Sequence, residues 1–353
     1  MKVDLKGLDE REAEQWALAN GLEAYRSRQI RHWLFKKFAD SFEEMTDLSK
    51  PLRAAIKEKA RLNHLERVKT QISQDGTEKY LFRLADGLHI ESVLIPARDH
   101  LTLCISSQVG CAMGCRFCLT SREGLKRNLT SAEIIDQVIQ VRKNLENPEK
   151  LTNIVFMGMG EPLANYDQVM KATKNLICDD GMNFSHRKVT LSTCGLVPQI
   201  EKMGRDTTLN LAISLNGADD DTRNRLMPIN RTYPLKDLLA ACRNFPLPNR
   251  RMITFEYILI AGINDRDQDA LNLMKRLSGL RAKINLIPLN PLPISDMQPP
   301  PLERILHFQE ILIRHHFTAM IRKSRGRDIL AACGQLSGAM SREASPGGER
   351  IRG

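Results

Sequence analysis

Aromatic residues are scarce in this chain: Phe, Trp and Tyr make up 5% of its 353 residues. That is too few for the stacked platforms on which single-strand binders lay successive bases. Long apolar runs are missing too. None approaches the roughly 18 residues that a membrane-spanning helix needs. The opening MKVDLKGLDEREAEQ is acidic, with neither the apolar stretch of a secretory signal nor the basic amphipathic face of a transit sequence. Eight cysteines without a secretory segment imply a reducing, cytoplasmic setting, where thiols serve metals or catalysis rather than a disulfide framework. Acidic charge is also in deficit. Against 52 Lys and Arg stand 42 Asp and Glu, a formal charge of +10 that favours a polyanionic partner. The basic residues cluster: Arg26, Arg28, Arg31, Lys36 and Lys37 near the start, Arg116, Lys126 and Arg127 further on, and Arg322, Lys323, Arg325 and Arg327 near the end. With aromatics so few, shape and phosphate contacts would supply most of the affinity for a nucleic acid.

What is present has a clear order. Apolar residues recur at helical spacing through 10–19, 25–38 and 49–61, which predicts a helical accessory domain over residues 1–64. Alternating segments at 68–72, 79–84, 89–95 and 101–106, with turns at Asp75-Gly76 and Asp86-Gly87, predict a β-meander extension over 65–100. From residue 101 to 340 the rhythm changes to strand–helix alternation, the mark of a parallel α/β sheet. Its strands are expected at 102–106, 153–157, 188–193, 208–214, 252–260 and 283–288, with a helix at 131–145 opened by a Thr130/Glu133 capping box. Six units predict a partial (β/α)6 barrel, open on one side to suit a large substrate, with its site at the carboxyl ends of the strands. The tail 341–353 is polar and Gly-rich, and is expected to be disordered.

The run CISSQVGCAMGCRFCLT carries Cys111, Cys115 and Cys118 with the spacing C-x-x-x-C-x-x-C, and no fourth ligand follows closely. Structural zinc would close its tetrahedron with one more Cys or His. Three thiolates on a four-iron cubane cap three irons and leave the fourth free to bind something. The spacing resembles the signature of radical S-adenosylmethionine (SAM) enzymes, whose open iron chelates the amino and carboxylate groups of SAM. At the end of the second barrel strand, Gly158-Met159-Gly160-Glu161-Pro162 combines glycines that admit a ligand to the backbone with a carboxylate suited to an ammonium group. It resembles the GGEP element of the same enzymes. The third and fourth strands end in Ser192-Thr193-Cys194-Gly195 and Ser214-Leu215-Asn216, and the sixth reaches Asn290. Singly, such residues more often cap helices; together on one rim they favour a cofactor. Cys178, Cys242 and Cys194 read as small buried hydrophobes. Cys104, seven residues before the triplet, and Cys333, in RKSRGRDILAACGQLSG, have more distinctive settings.

SSQVGC, the cysteine triplet, RNLT, FMGMGEPLANY, STCGLVP, RLMPIN and RGRDILAACGQL together resemble the RlmN/Cfr family of radical SAM RNA methyltransferases, RlmN more than Cfr, over residues 21–338. The resemblance implies a [4Fe–4S] cluster on Cys111, Cys115 and Cys118, and a SAM site lined by Gly160, Glu161, Ser192, Ser214, Leu215, Asn216 and Asn290. It implies that Cys333 carries a methyl group as S-methylcysteine, that Cys104 is the resolving thiol and that Glu91 accepts the ring proton. The implied reaction methylates adenosine C2 in 23S rRNA and in tRNA. Its implied partners are RNA and an external flavodoxin- or ferredoxin-type reductant, with no membrane and a monomeric protein. The basic helical module with Arg26, Arg28 and Arg31 would help to grip RNA. Two departures from the family pattern, Asn216-Gly217-Ala218 in place of HAP and Leu119-Thr120-Ser121-Arg122-Glu123-Gly124 in place of ATGKGG, keep a divergent paralogue with another RNA target as an alternative. Cfr-like methylation at C8, which uses the same cysteines, is the other.

Overall fold

The computed structural model describes residues 2–293 and 295–338. Two Asp-Gly turns start the sheet. Gly76 and Gly87 adopt φ values of 79° and 84°, the left-handed region that glycine enters without strain, and so let the chain reverse tightly. Strands β1 (Glu66–Ile72), β2 (Glu78–Arg83), β3 (His89–Pro96) and β4 (Leu101–Cys104) therefore run antiparallel to one another. From β4 onward every addition is parallel: β5 (Leu151–Phe156), β6 (Val189–Thr193), β7 (Asn210–Ser214), β8 (Ile253–Leu259), β9 (Ala282–Pro288) and β10 (Thr318–Ile321). All ten form one sheet, and their order in space is their order in the chain. The meander and the barrel thus share a sheet through β3 and β4.

The strand β10 is a seventh parallel strand, one more than the alternation predicts. Its four residues, Thr-Ala-Met-Ile, lie at the sheet edge with one buried side chain, too short and too exposed to show a pattern. Helices α1 (Glu10–Ala19), α2 (Ala24–Phe35) and α3 (Lys50–Lys59) build the N-terminal module. Helix α4 (Ser131–Arg142) stops three residues before the expected end but opens on the Thr130/Glu133 capping box. The barrel strands beyond it alternate with α5 (Tyr166–Ile177), α6 (Val197–Asp206), α7 (Asp220–Leu226), α8 (Leu235–Asn244), α9 (Asp267–Leu277) and α10 (Leu302–Arg314).

Buried polar ties fasten the N-terminal module to the barrel. Lys6 and Asp136 of α4 form a fully buried ion pair at 2.6 Å, and the same carboxylate accepts the Leu65 N–H. Arg31 corrects its sequence reading as an RNA contact. It is 1% exposed, donates to Asp180, Asn175 and the Leu8 carbonyl, and stacks on Phe35, so it joins α2 to the end of α5. The main hydrophobic core runs from Leu5 to Leu336, and a smaller one gathers around Cys115, Phe117 and Cys194.

The chain after β10 returns to the meander. Ser73 Oγ and the Gln74 N–H donate to Asp328, the Gly326 N–H donates to Asp75, and Lys79 Nζ donates to the Leu330 carbonyl. The segment 341–353 lies outside the described residues. Among the described residues no helix is long and apolar enough to cross a membrane.

Candidate functional site

The cysteine loop leaves the carboxyl end of β4 through a tight turn. A side chain on Gly110 (φ 75°) would collide with the Gly124 carbonyl, which itself accepts the Cys111 N–H. Cys111 and Cys115 are buried, Cys118 is partly exposed, and the three thiols line one cavity of about 140 Å³. Burial pushes the Cys111 thiol up to about 11 and drives Cys115 higher still, with the neighbouring cysteines adding to the effect. Thiols so placed stay protonated until a metal takes the proton's place. Among the described residues no three His, Cys, Asp or Glu side chains converge on one point where a single ion could sit. A cubane does not require that, because its thiolates cap different irons. Three free thiols on a shared cavity, with no fourth protein ligand in their loop, fit such a cluster.

Across the cavity stands the turn after β5. A Cβ on Gly158 would strike the Ile105 carbonyl, and one on Gly160 (φ 99°) would strike Gln108, so both positions pack backbone against the start of the cysteine loop. Glu161 follows, buried, accepting N–H bonds from Leu163 (3.0 Å) and Cys194 (2.8 Å). Burial raises its pKa, so a bound ammonium group would offset the cost of its charge. The Cys194 and Thr193 side chains also bond to the same carboxylate.

Ser192, Ser214 and Asn216 reach the same cavity from the ends of β6 and β7. Leu215 does not: its side chain is fully buried in the core, and its carbonyl accepts from Arg223 Nε. Asn216 (φ 55°) is partly committed to the fold, accepting the Ile258 N–H and donating to the Met227 sulfur. Asn290 lies next door, its Nδ2 donating to the Cys333 carbonyl while its buried Oδ1 has no partner among the described residues.

Two residues at the centre were not foreseen. Glu256 on β8 accepts from Ser192 Oγ at 3.0 Å, and burial raises its pKa although Arg322 opposes the shift. It lines both the cluster cavity and an adjoining one of about 460 Å³. Its only linear signal is a lone carboxylate inside the apolar run ITFEYIL. Cys194 is buried, as expected of a small hydrophobe, but it also lines the cluster cavity. The buried Arg223 donates to its carbonyl and to that of Leu215, tying the ends of β6 and β7 together.

The larger cavity holds Cys104 and Cys333 together, with Asn290 and Glu256. Cys104 is buried, and its thiol is pushed far up by burial and then by Cys333. Cys333 is open to the cavity, yet the enclosing walls, and next the Glu256 carboxylate, push its thiol up to about 11. The Leu119 N–H donates to the Gly334 carbonyl at 2.7 Å, joining the cysteine loop to the Cys333 loop. Glu91 sits behind that loop. It forms a buried ion pair with Lys79 at 3.0 Å and accepts the Ser337 and Gly338 N–H groups.

Comparisons with known proteins agree with this arrangement. A family profile described as the radical SAM superfamily matches residues 105–274, and one described as the ribosomal RNA large subunit methyltransferase N-terminal domain matches residues 3–62. The dual-specificity RNA methyltransferase RlmN of Geobacter sulfurreducens is 54% identical over 95% of this chain and 92% of its own length. That of Syntrophus aciditrophicus is 51% identical over 96% and 97%. The crystal structure of a radical SAM methyltransferase from Sphaerobacter thermophilus superposes with a TM-score of 0.91 at 45% identity, covering 96% of this chain and all of that one. With about half of its residues shared with these relatives over nearly its whole length, the chain belongs to the RlmN family of radical SAM RNA methyltransferases.

Proposed function

We propose that this enzyme methylates carbon 2 of an adenosine in 23S rRNA, and of an adenosine in tRNA, using a methyl group carried on Cys333. The observation that carries the proposal is the pairing of Cys333 with Cys104 in one cavity that adjoins the cysteine triplet. A radical SAM enzyme without covalent methyl transfer has no use for that pair. The relatives' dual specificity supports two classes of RNA substrate.

Carbon 2 of adenine lies between two ring nitrogens and is too electron-poor to displace a methyl group from a sulfonium. Cys111, Cys115 and Cys118 would hold the cluster; Gly160, Glu161, Ser192, Ser214, Asn216, Asn290 and the Leu215 backbone would hold SAM. When bound, these groups supply a carbon radical able to take hydrogen from a methyl thioether. The protein supplies the rest. The Cys333 sulfur receives the methyl carbon and presents it to the ring. Glu91 takes the C2 proton, which requires the 337–338 backbone to move off its carboxylate. Once the adduct has passed its odd electron back to the bound cluster, Cys104 loses its thiol proton to solvent and attacks the Cys333 sulfur. The S–S bond replaces the S–C bond, whose electron pair stays on the transferred carbon, and that carbon takes a proton to become the methyl group of the freed RNA. This splits one unfavourable displacement into feasible steps. The disulfide must be reduced externally, and a flavodoxin- or ferredoxin-type donor would supply the electron for radical formation. The enzyme acts as a cytoplasmic monomer. Residues 1–64 form an accessory RNA-binding domain, 65–100 an extension, and 101–340 the catalytic barrel.

Replacing Cys104 tests the assignment. C104A should leave RNA covalently attached to the protein, seen as a shifted band that ribonuclease removes, and C333A should abolish methylation while keeping the brown absorbance of the cluster. Free methylated RNA from C104A would refute the role of Cys104. Mass spectrometry of the modified adenosine separates C2 from C8.

A further inference from the structure

We infer that Arg116, Arg122 and Arg225 form the docking face for an acidic one-electron carrier protein. The inference rests on the proposed reaction, which needs such a donor. On the outer side of the cysteine loop lie two adjoining concavities of about 370 and 360 Å³, and both are walled by Arg116 and Arg122. Arg225 completes the second, whose one acidic wall residue is Asp296. All three arginines are exposed. Like charges brought this close repel, and the fold holds them there. The Arg116 N–H donates to the Leu226 carbonyl at 3.0 Å, joining the cysteine loop to α7, which carries Arg225.

Position distinguishes the partner. Cys115 lines both the outer concavity and the inner cavity that it shares with Cys111 and Cys118. A single side chain therefore separates this surface from the thiol triplet, and electron tunnelling weakens steeply with distance. RNA is the less suitable occupant. The adenine must reach Cys333, which lines both the inner cavity and the larger one bordered by Arg322, Lys323 and Arg325; the larger one, which has the room for a base, shares no lining residue with either arginine concavity. Ile263 and Met297, partly buried in the wall of the second concavity, add the adaptable apolar contacts that suit a small, transient interface. The redox step is simple. One electron leaves the carrier's reduced flavin or iron–sulfur centre and enters the cluster, and no bond is made or broken in this protein.

The test uses the cluster-loaded enzyme with a reduced flavodoxin as probe, comparing wild type with R116E/R122E and R116K/R122K. Carrier binding is read by fluorescence anisotropy, and cluster reduction by stopped-flow absorbance. R116E/R122E should weaken binding and slow reduction by the carrier by about tenfold or more at low salt, and the difference should shrink near 0.5 M salt, where the screening length is only a few ångströms (roughly 4 Å). The lysine variant should stay within about twofold of wild type, since steering depends on charge. Iron content, dithionite-driven deoxyadenosine formation and tRNA retention on filters should not change. An unaltered carrier rate in R116E/R122E would overturn the inference, as would a loss of tRNA binding with carrier reduction intact, which would give the face to RNA. Wild-type protein that forms no deoxyadenosine even with dithionite would sink the proposed reaction itself, a result distinct from either.

Discussion

At the scale of single residues, the site is governed by buried groups that oppose one another's charge. Burial hinders the ionisation of Cys333, and the Glu256 carboxylate nearby adds to that. Removing the carboxylate should therefore favour the thiolate and lower the thiol's pKa from about 11. For E256Q we expect the pH profile of iodoacetamide labelling at the Cys333 peptide, followed by mass spectrometry, to move down by about one unit. An unmoved profile would show that burial alone sets the value. The contrast between foreseen and unforeseen residues has a physical cause. Cys111, Cys115 and Cys118 are recognisable because a loop that wraps a cluster must space its ligands locally, and Gly160-Glu161 because a ligand-binding turn is local as well. Glu256 becomes part of the site only through sheet register, which sets it beside Ser214 on β7, and Cys194 only through the way its turn packs on Glu161. Linear order does not hold that information.

Elements were readable where their periodicity was long. Helices α1 to α4 and strands β1 to β9 announce themselves by repeated apolar spacing or Asp-Gly turns, whereas β10 is too brief. What no pattern shows is how the N-terminal module docks, because the ties are isolated charges, Lys6 inserted against Asp136 of α4 and Arg31 against Asp180. Breaking a buried pair leaves its partner's charge uncompensated. K6M should lower unfolding stability by about 3–5 kcal/mol, measured by urea titration. K6M/D136N, which removes the stranded charge but keeps an acceptor for the Leu65 N–H, should regain most of that. A K6M protein within about 1 kcal/mol of wild type would mean that apolar packing, not the ion pair, secures the module.

For the whole molecule, the formal charge of +10 overstates what is offered to RNA. Arg31 and Arg223 are consumed inside the fold, and Arg127 is held by Asp86 and Glu133. The cations left at the mouth of the Cys333 cavity include Arg322 and Lys323, while Arg325 beside them is paired with Asp75 at 3.8 Å. K323E should weaken tRNA binding and flatten the dependence of log Kd on log salt by about one phosphate contact. An unchanged slope in K323E would exclude Lys323 from the RNA path. The sequential sheet carries a further implication for biogenesis. A nascent chain emerging from the ribosome always finds the neighbour of its newest strand already laid down, so the scaffold around the triplet can assemble as it is translated. The seat of Cys333 is the exception, since it closes only when Asp328 meets Ser73 and Gln74, about 250 residues back along the chain. The loop proposed to carry the methyl group is therefore seated only after the strands that wall the triplet's cavity have been laid down.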